Sequence, residues 1–438
     1  MSLWSSDADL VEAHRLDRSG WDPGSRPLGV AFASSVADVQ TVLRDASAIG
    51  ASVTVRGAGT GLSGGAVAPD GSVVLDLSRL DRIREISVAD QVAVVEPGVI
   101  TAALGRAVGE HGLRYAPDPA SLEISTIGGN IATNAGGLRC AKYGVTRDSV
   151  LALDVVLADG SLIHTGHRSV KGVAGYDLTG MFVGSEGTLG VIVGATLRLR
   201  PAPAETATIA AYFGSVALAA SAVREIAAAG IVASTLEIVD GPTLSAIDAA
   251  QGTDLRPRGE AFLLVQTDGA GAVAEASVVE KVLLGLAGRV DRTDDYGAEL
   301  VAARRLALPS LERLGRVLIE DIAVPPGRLA EAFAGVAEIA AETGAAIYTL
   351  AHAGDGNLHP LIVVDPSLPA IPDNAGEAAE RIFALALLLG GTVTGEHGVG
   401  ALKRRWLGEE LGERQHRLQR ELRRVFDPTG LLNPGRAL

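Results

Sequence analysis

The chain has 438 residues, 47% of them hydrophobic but only 4% aromatic, and a formal net charge of −14. That length exceeds one ordinary core and predicts two domains, with interiors built from Ala, Val, Leu and Ile. The acidic balance argues against nucleic acid and anionic membrane as partners, which need basic patches, and the single cysteine, Cys140, excludes an internal disulfide and suits a reducing cytoplasm.

Residues 1–20 lack a basic segment followed by an apolar run, so no signal peptide is expected. The longest unbroken apolar run, 382–389, falls short of the roughly 20 residues that cross a bilayer. The first half alternates turn signals with β-like runs at 52–55, 73–77, 92–96, 151–157 and 191–193. At Arg200-Pro-Ala-Pro203 the texture changes. Helical stretches at 217–229, 272–286 and 328–342 then alternate with β-like runs at 261–266 and 347–351. Residues 401–424 read as a charged helix, stopped by Asp427-Pro-Thr-Gly430. The expected domains are 1–203, 204–400 and a tail at 401–438.

Glycine clusters crowd the first half, at 57–65, 128–137 and 184–190. In Arg56-Gly-Ala-Gly-Thr-Gly-Leu-Ser-Gly-Gly65 five of the last nine residues are glycine. Glycine lets a loop turn its N–H groups inward and approach a phosphate closely. Gly59 to Gly64 also matches the dinucleotide fingerprint G-x-G-x-x-G. Only residues 66–72 separate the loop from the next strand, which leaves no room for the helix of a Rossmann unit. The loop reads either as a phosphate cradle of another kind or as a structural turn. The second cluster mixes glycine with short hydroxyl and amide side chains, which suits a planar polar ring lying against backbone. The third, Gly184-Ser-Glu-Gly-Thr-Leu-Gly190, runs directly into the strand at 191–193.

Together these segments resemble the FAD-binding domain of the vanillyl-alcohol oxidase/p-cresol methylhydroxylase superfamily, in its D-lactate dehydrogenase and glycolate oxidase large-subunit branch. The likeness runs from about Pro27 to Arg436. It implies an α+β fold with a two-part FAD-binding domain of the p-cresol methylhydroxylase type. A cap or substrate domain with an antiparallel sheet and flanking helices follows, and the final helix returns to the first domain. The resemblance implies a pyrophosphate loop at Arg56, Gly57, Ala58, Gly59, Thr60, Gly61, Leu62, Ser63 and Gly64. It implies flavin-lining positions at Pro117, Asp118, Ser121, Thr126, Ile127, Gly128, Gly129 and Asn130, extended by Asn134, Gly136, Gly137 and Tyr143. Glu186, Gly187, Gly190 and Ile192 would close over the adenine side, and Asn433 would return to the flavin. Some superfamily members attach FAD through a histidine in the first loop; residues 57–65 contain none, so the expected FAD is non-covalent.

The strongest chemical signal is His352-Ala-Gly-Asp-Gly-Asn-Leu-His359. Asp355-Gly356 reads as a two-residue hairpin turn that pairs His352 with His359. The imidazoles then share one face with Cβ atoms ~5 Å apart, and such a pair either binds one divalent ion or simply hydrogen-bonds or lies exposed. Glu396-His397, in Thr394-Gly-Glu-His-Gly-Val-Gly400, adds a carboxylate to make a two-His, one-carboxylate set. In extended backbone their side chains point apart, so Glu396 faces the ion and His397 faces elsewhere. The resemblance implies His352, His359 and Glu396 as ligands of zinc or manganese, and His397 as catalytic base. It also implies Arg304, or its neighbour Arg305, as the receptor for a substrate carboxylate, with Asn357 helping to orient substrate.

The implied reaction is FAD-dependent, metal-assisted oxidation of a small D-2-hydroxy acid to the 2-oxo acid, with hydride transfer to flavin N5. Relatives acting on D-2-hydroxyglutarate carry a lysine near Ile319, whereas Val317-Leu-Ile-Glu-Asp-Ile322 is apolar or acidic, which favours D-lactate or glycolate. The electron acceptor, and the choice between a homodimer and partner subunits, stay open. Rival readings are a non-redox alkyl-dihydroxyacetonephosphate synthase-like enzyme, a flavin subunit dependent on partners, and a zinc hydrolase. The last leaves three glycine clusters unexplained.

Overall fold

The computed structural model describes residues 3–368 and 370–438. The chain divides into two compact units. The first comprises Met1–Gly137, Gly144–Ala202 and Glu396–Leu438, and the second Leu138–Tyr143 and Pro203–Gly395. These limits differ from the sequence boundaries in three places: residues 138–143 and Pro203 fall in the second unit, and residues 396–400 belong with the first.

The first unit holds two larger sheets and a two-stranded antiparallel pair, Leu113–Arg114 with Arg200–Pro201. Strands Gly29–Phe32, Val73–Asp76 and Val53–Arg56 form a parallel sheet with Val73–Asp76 in the centre. That central strand is buried at every position, as a parallel strand covered on both faces must be. Helix Val36–Ala48, capped by the Ser35 hydroxyl, packs Val39, Val42, Leu43 and Ala46 against it. Their spacing is that of one helix face. As the sequence indicated, no helix lies between Val53–Arg56 and Val73–Asp76; the glycine loop fills that crossover.

A five-stranded antiparallel sheet follows, in the order Ile83–Ser87, Val92–Val95, Val191–Arg198, Val150–Val156, Leu162–Gly166. The C-terminal helix Leu407–Phe426 bends at Gly412 and places Phe426 edge-on against Phe182, with ring centroids 5.4 Å apart. Beyond it Leu432 bridges in parallel to Val53.

The second unit is an antiparallel sheet of eight strands with flanking helices, the cap architecture expected. Thr235–Asp240, Ala346–His352 and Asn357–Val364 are consecutive within it. Val239, Leu350 and Leu361 pack with Leu244 and Ile247 of helix Gly241–Gln251 and with Val301 and Leu311 of helix Ala298–Glu312. Because side chains alternate along a strand, Glu237, His352 and His359 share the face of Val239, Leu350 and Leu361. A polar cluster thus continues an apolar layer.

Candidate active site

In the first unit the three glycine clusters meet. A side chain at Gly57 would come within 2.4 Å of the Thr126 hydroxyl, and Gly59 and Gly64 have φ of +67° and +75°. Glycine is required there by close approach and by left-handed backbone respectively. A cleft of about 270 Å³ opens beside this contact, lined in part by Ala58, Gly98, Val99 and Thr126. Arg56 is buried, donates to the Leu16 carbonyl at 2.6 Å, and is shifted below its ordinary pKa by burial. Thr60, Gly61 and Leu62 stay half-buried in the loop, and Ser63 is buried.

The second cluster is partly helical. Residues Ile127–Thr133 form a helix, because the Thr126 hydroxyl accepts from Gly129 N–H and Asn134, at φ 54°, ends it. Asn130 donates to the Thr101 hydroxyl at 2.7 Å, and Asn134 accepts from Arg147 N–H at 2.9 Å. Gly128 lies against Pro97, and Gly137 lies against the Asp118 carbonyl. Pro117 is buried and Ser121 half-buried. Gly190 abuts Val155, and Ile192 packs in the core of the five-stranded sheet. Tyr143 belongs to the second unit, where its hydroxyl donates to buried Asp268 at 2.6 Å.

The loop carrying Glu396 and His397 is clasped by the other first-unit loops. Ser63 donates to the His397 carbonyl at 3.3 Å, and Ala401 N–H returns to the Ser63 carbonyl at 2.9 Å. Glu186, left-handed at φ 52°, accepts from Val399 and Gly400 N–H at 2.7 and 2.8 Å. Asn433 ties the tail to both neighbours, donating to the Glu186 carbonyl at 2.6 Å and accepting from Val55 N–H at 2.9 Å. The next glycine, Gly187, leaves a substituent only 3.0 Å from the Asn433 amide. Glu396 and His397 do not point apart as extended backbone predicts. Residues 395–397 form a bend, Gly398 is at φ +82°, and His397 Nε2 lies 3.8 Å from Glu396 Oε1. Gly136 gives Glu396 its space, since a Cβ there would fall 2.4 Å from Glu396 Oε2.

Burial pushes the Glu186 carboxyl up from 4.5 to about 6, against the two backbone N–H groups and the charges of Arg436 and Lys403 that favour ionisation. The folded chain therefore holds this proton more tightly than the unfolded one. Its contribution is fully present below pH 4.5 and is lost as pH rises through 6. Relative to Glu186→Gln, which does not titrate, the wild type should lose about 2 kcal/mol of stability across that window. Urea unfolding of both proteins at about pH 4 and about pH 7 checks this. A difference that does not change with pH would refute it.

In the second unit the histidine hairpin forms with a different register. His352 faces Asn357 and Leu350 faces His359, joined by four residues, Ala353 to Gly356. The expected two-residue turn is displaced because the Gly356 carbonyl accepts from Val324 N–H at 3.0 Å. A Cβ on Gly356 would meet the Val324 carbonyl at 2.0 Å, so this approach also requires glycine. The shift moves both members of each pair by one position and preserves parity. The histidines therefore stay on one face as diagonal neighbours, with ring centroids 5.0 Å apart. Each is 6% exposed.

Sequence reasoning missed two buried carboxylates beside them. Glu237, 0% exposed, faces His352 across the sheet and accepts from its Nδ1 at 2.6 Å. Its other oxygen accepts from Arg304 Nε at 2.7 Å. Burial opposes ionisation of Glu237, but His352 and Arg304 outweigh it and hold the carboxyl below its ordinary range. Asp321, also fully buried, accepts from Asn357 Nδ2 at 2.8 Å and Thr394 Oγ1 at 2.9 Å, and lies 3.9 Å from His359 Nδ1. A carboxylate acceptor fixes the Asn357 amide with Nδ2 toward Asp321, and the buried Oδ1 then has no hydrogen-bond partner among the described residues. The competing arginine, Arg305, is exposed and stacks on Tyr296, 5.6 Å from the ring centroid.

The sequence matches the family described as FAD linked oxidases, C-terminal domain, over residues 202–437, and the FAD binding domain over residues 27–166. It is 40% identical over 418 residues to glycolate oxidase subunit GlcD of Bacillus subtilis, covering 94% of this chain and 89% of the relative. It is 35% identical over 408 residues to D-lactate dehydrogenase of Archaeoglobus fulgidus, covering 92% and 90%. Among solved structures, substrate-bound p-cresol methylhydroxylase shares the fold at a TM-score of 0.79 and 17% identity, over 99% of this chain and 93% of that one. The chain belongs to the FAD-linked oxidase family, on the p-cresol methylhydroxylase type of scaffold and in the branch of the glycolate oxidase GlcD subunits and D-lactate dehydrogenases.

Proposed function

We propose that this flavoenzyme oxidises a small D-2-hydroxy acid of the D-lactate or glycolate type to the 2-oxo acid, using non-covalent FAD and a divalent ion, zinc or manganese. The observation that carries the reading is the buried histidine pair on one sheet face, with Nδ1 of His352 engaged by a carboxylate. An imidazole that donates Nδ1–H carries its lone pair on Nε2, the form that ligates metals. His352, His359 and Glu396 are the ligand set. Bound FAD supplies the hydride acceptor, and the bound ion supplies the positive charge that acidifies the substrate hydroxyl.

His397 removes the hydroxyl proton as general base. Arg304 receives the substrate carboxylate, because a buried anion needs a charged donor. The Asn357 Oδ1, without a hydrogen-bond partner among the described residues, supports a role for this residue in orienting substrate. Ile319 packs at the edge of the apolar cluster around Tyr212 and Leu361, which supports a substrate without a second carboxylate. The Bacillus relative is named a subunit, which supports assembly with partner subunits. No helix among the described residues is long and apolar enough to cross a membrane.

Single-turnover reduction with D-lactate, glycolate and D-2-hydroxyglutarate, each at equal concentration, tests the substrate class. Faster flavin reduction by either monocarboxylate is expected. Preference for D-2-hydroxyglutarate would overturn the reading of Ile319.

A further inference from the structure

Glu237 stands out among the residues of the second unit that the proposed reaction leaves without a role. It occupies the middle of Thr235–Asp240, a strand buried at all six positions. Burying a carboxylate costs several kcal/mol unless it is paired, and an apolar residue of similar size would suit the sheet better. The pairing is specific. One oxygen meets His352 Nδ1 at 2.6 Å and the other meets Arg304 Nε at 2.7 Å. One rigid carboxylate therefore joins a residue of the proposed ion site to the proposed carboxylate receptor. Arg304 lies on helix Ala298–Glu312 and His352 ends strand Ala346–His352, so neither fixes the other through its own backbone.

We propose that Glu237 is the positioning residue of this site. It holds His352 in the Nδ1–H tautomer, with Nε2 as the ligand atom, and fixes the Arg304 guanidinium at a set distance from it. This rests on the reading of His352 as a metal ligand and Arg304 as carboxylate receptor. Glutamine cannot replace it, since an amide has one acceptor oxygen and must turn its NH2 donor toward either Nδ1–H or Nε–H. Outer partners of ligating histidines typically change metal affinity by about 10–100-fold.

The test measures Zn(II) affinity of the FAD-loaded, metal-stripped full chain by chelator competition, for wild type, Glu237→Gln, Glu237→Asp and His359→Ala. Glu237→Gln should weaken Zn(II) by about 10–100-fold and raise the KM for hydroxy acid, with FAD content unchanged and Glu237→Asp recovering part of the loss. Unchanged Zn(II) affinity in Glu237→Gln, where His359→Ala has lost it, would overturn the role of Glu237 and leave the metal site standing. No loss in His359→Ala would overturn the metal reading and this proposal with it. Nitrogen-15 spectra of labelled histidine in the wild type need no variant to fold. A His352 signal with Nδ1 protonated is expected, and one with Nδ1 unprotonated in the metal-free protein contradicts the assignment.

Discussion

Replacing His397 with alanine should leave FAD bound and slow flavin reduction by about 10²-fold or more. The loop that carries it is held through main-chain groups. Ser63 binds the His397 carbonyl, and Glu186 binds the N–H groups of Val399 and Gly400. None of these contacts involves the imidazole, so truncation leaves the clasp in place. The His397 side chain is only 16% exposed, so its loss opens a small cavity and not a collapsed loop. Stopped-flow absorbance under anaerobic conditions reads the rate, and the ratio of flavin to protein absorbance reads cofactor content. Near-normal reduction in the variant would remove His397 from the role of base.

The second large effect is expected at the histidine pair. His359→Ala removes one of the two imidazoles whose centroids lie 5.0 Å apart, and no nearby side chain on that strand replaces it: its same-face neighbours are Asn357 and Leu361. Loss of a ligand should weaken the ion by more than the roughly 100-fold that an outer partner contributes. Hydroxy-acid turnover should fall in proportion, and added zinc or manganese in excess should restore part of it. The variant should keep its flavin, because the glycine loops lie in the first unit and His359 in the second. Full activity in metal-stripped His359→Ala would show that the pair does not serve an ion.

Much of the local geometry of the candidate site was legible in the chain because its signals are local. Gly57, Gly59 and Gly64 announce close approach and left-handed backbone within one loop, and the missing helix after that loop separates it from a Rossmann unit. The hairpin was readable for a reason more robust than its turn. A two-residue turn and the observed four-residue turn place His352 and His359 on the same face, because the two registers differ by an even number of residues. The register itself was not readable, since it depends on Val324 drawing the Gly356 carbonyl out of the turn.

Long-range partners account for the rest. Glu237 left a faint signal, one carboxylate in the otherwise apolar run Leu236-Glu-Ile-Val239, but its meaning depends on strand and helix neighbours more than 60 residues away. Asp321 was seen only as part of an acidic stretch, although it is fully buried and holds both Asn357 and Thr394. The transfer of residues 138–143 to the second unit depends likewise on Lys142 and Tyr143 both pairing with Asp268. The helix at Ile127–Thr133 was obscured because its sequence is rich in glycine, which lowers helix propensity; the Thr126 cap and packing against Pro97 override it.

The measurement that tests the central claim most directly is an anaerobic absorbance titration of the purified protein with D-lactate and glycolate, before and after treatment with a metal chelator. A protein with flavin bands that bleach on addition of either acid, that stop bleaching after chelation, and that respond again when zinc or manganese is returned is the predicted result. Flavin bands that neither acid bleaches in the metal-loaded protein, or that bleach equally well after chelation, would contradict it.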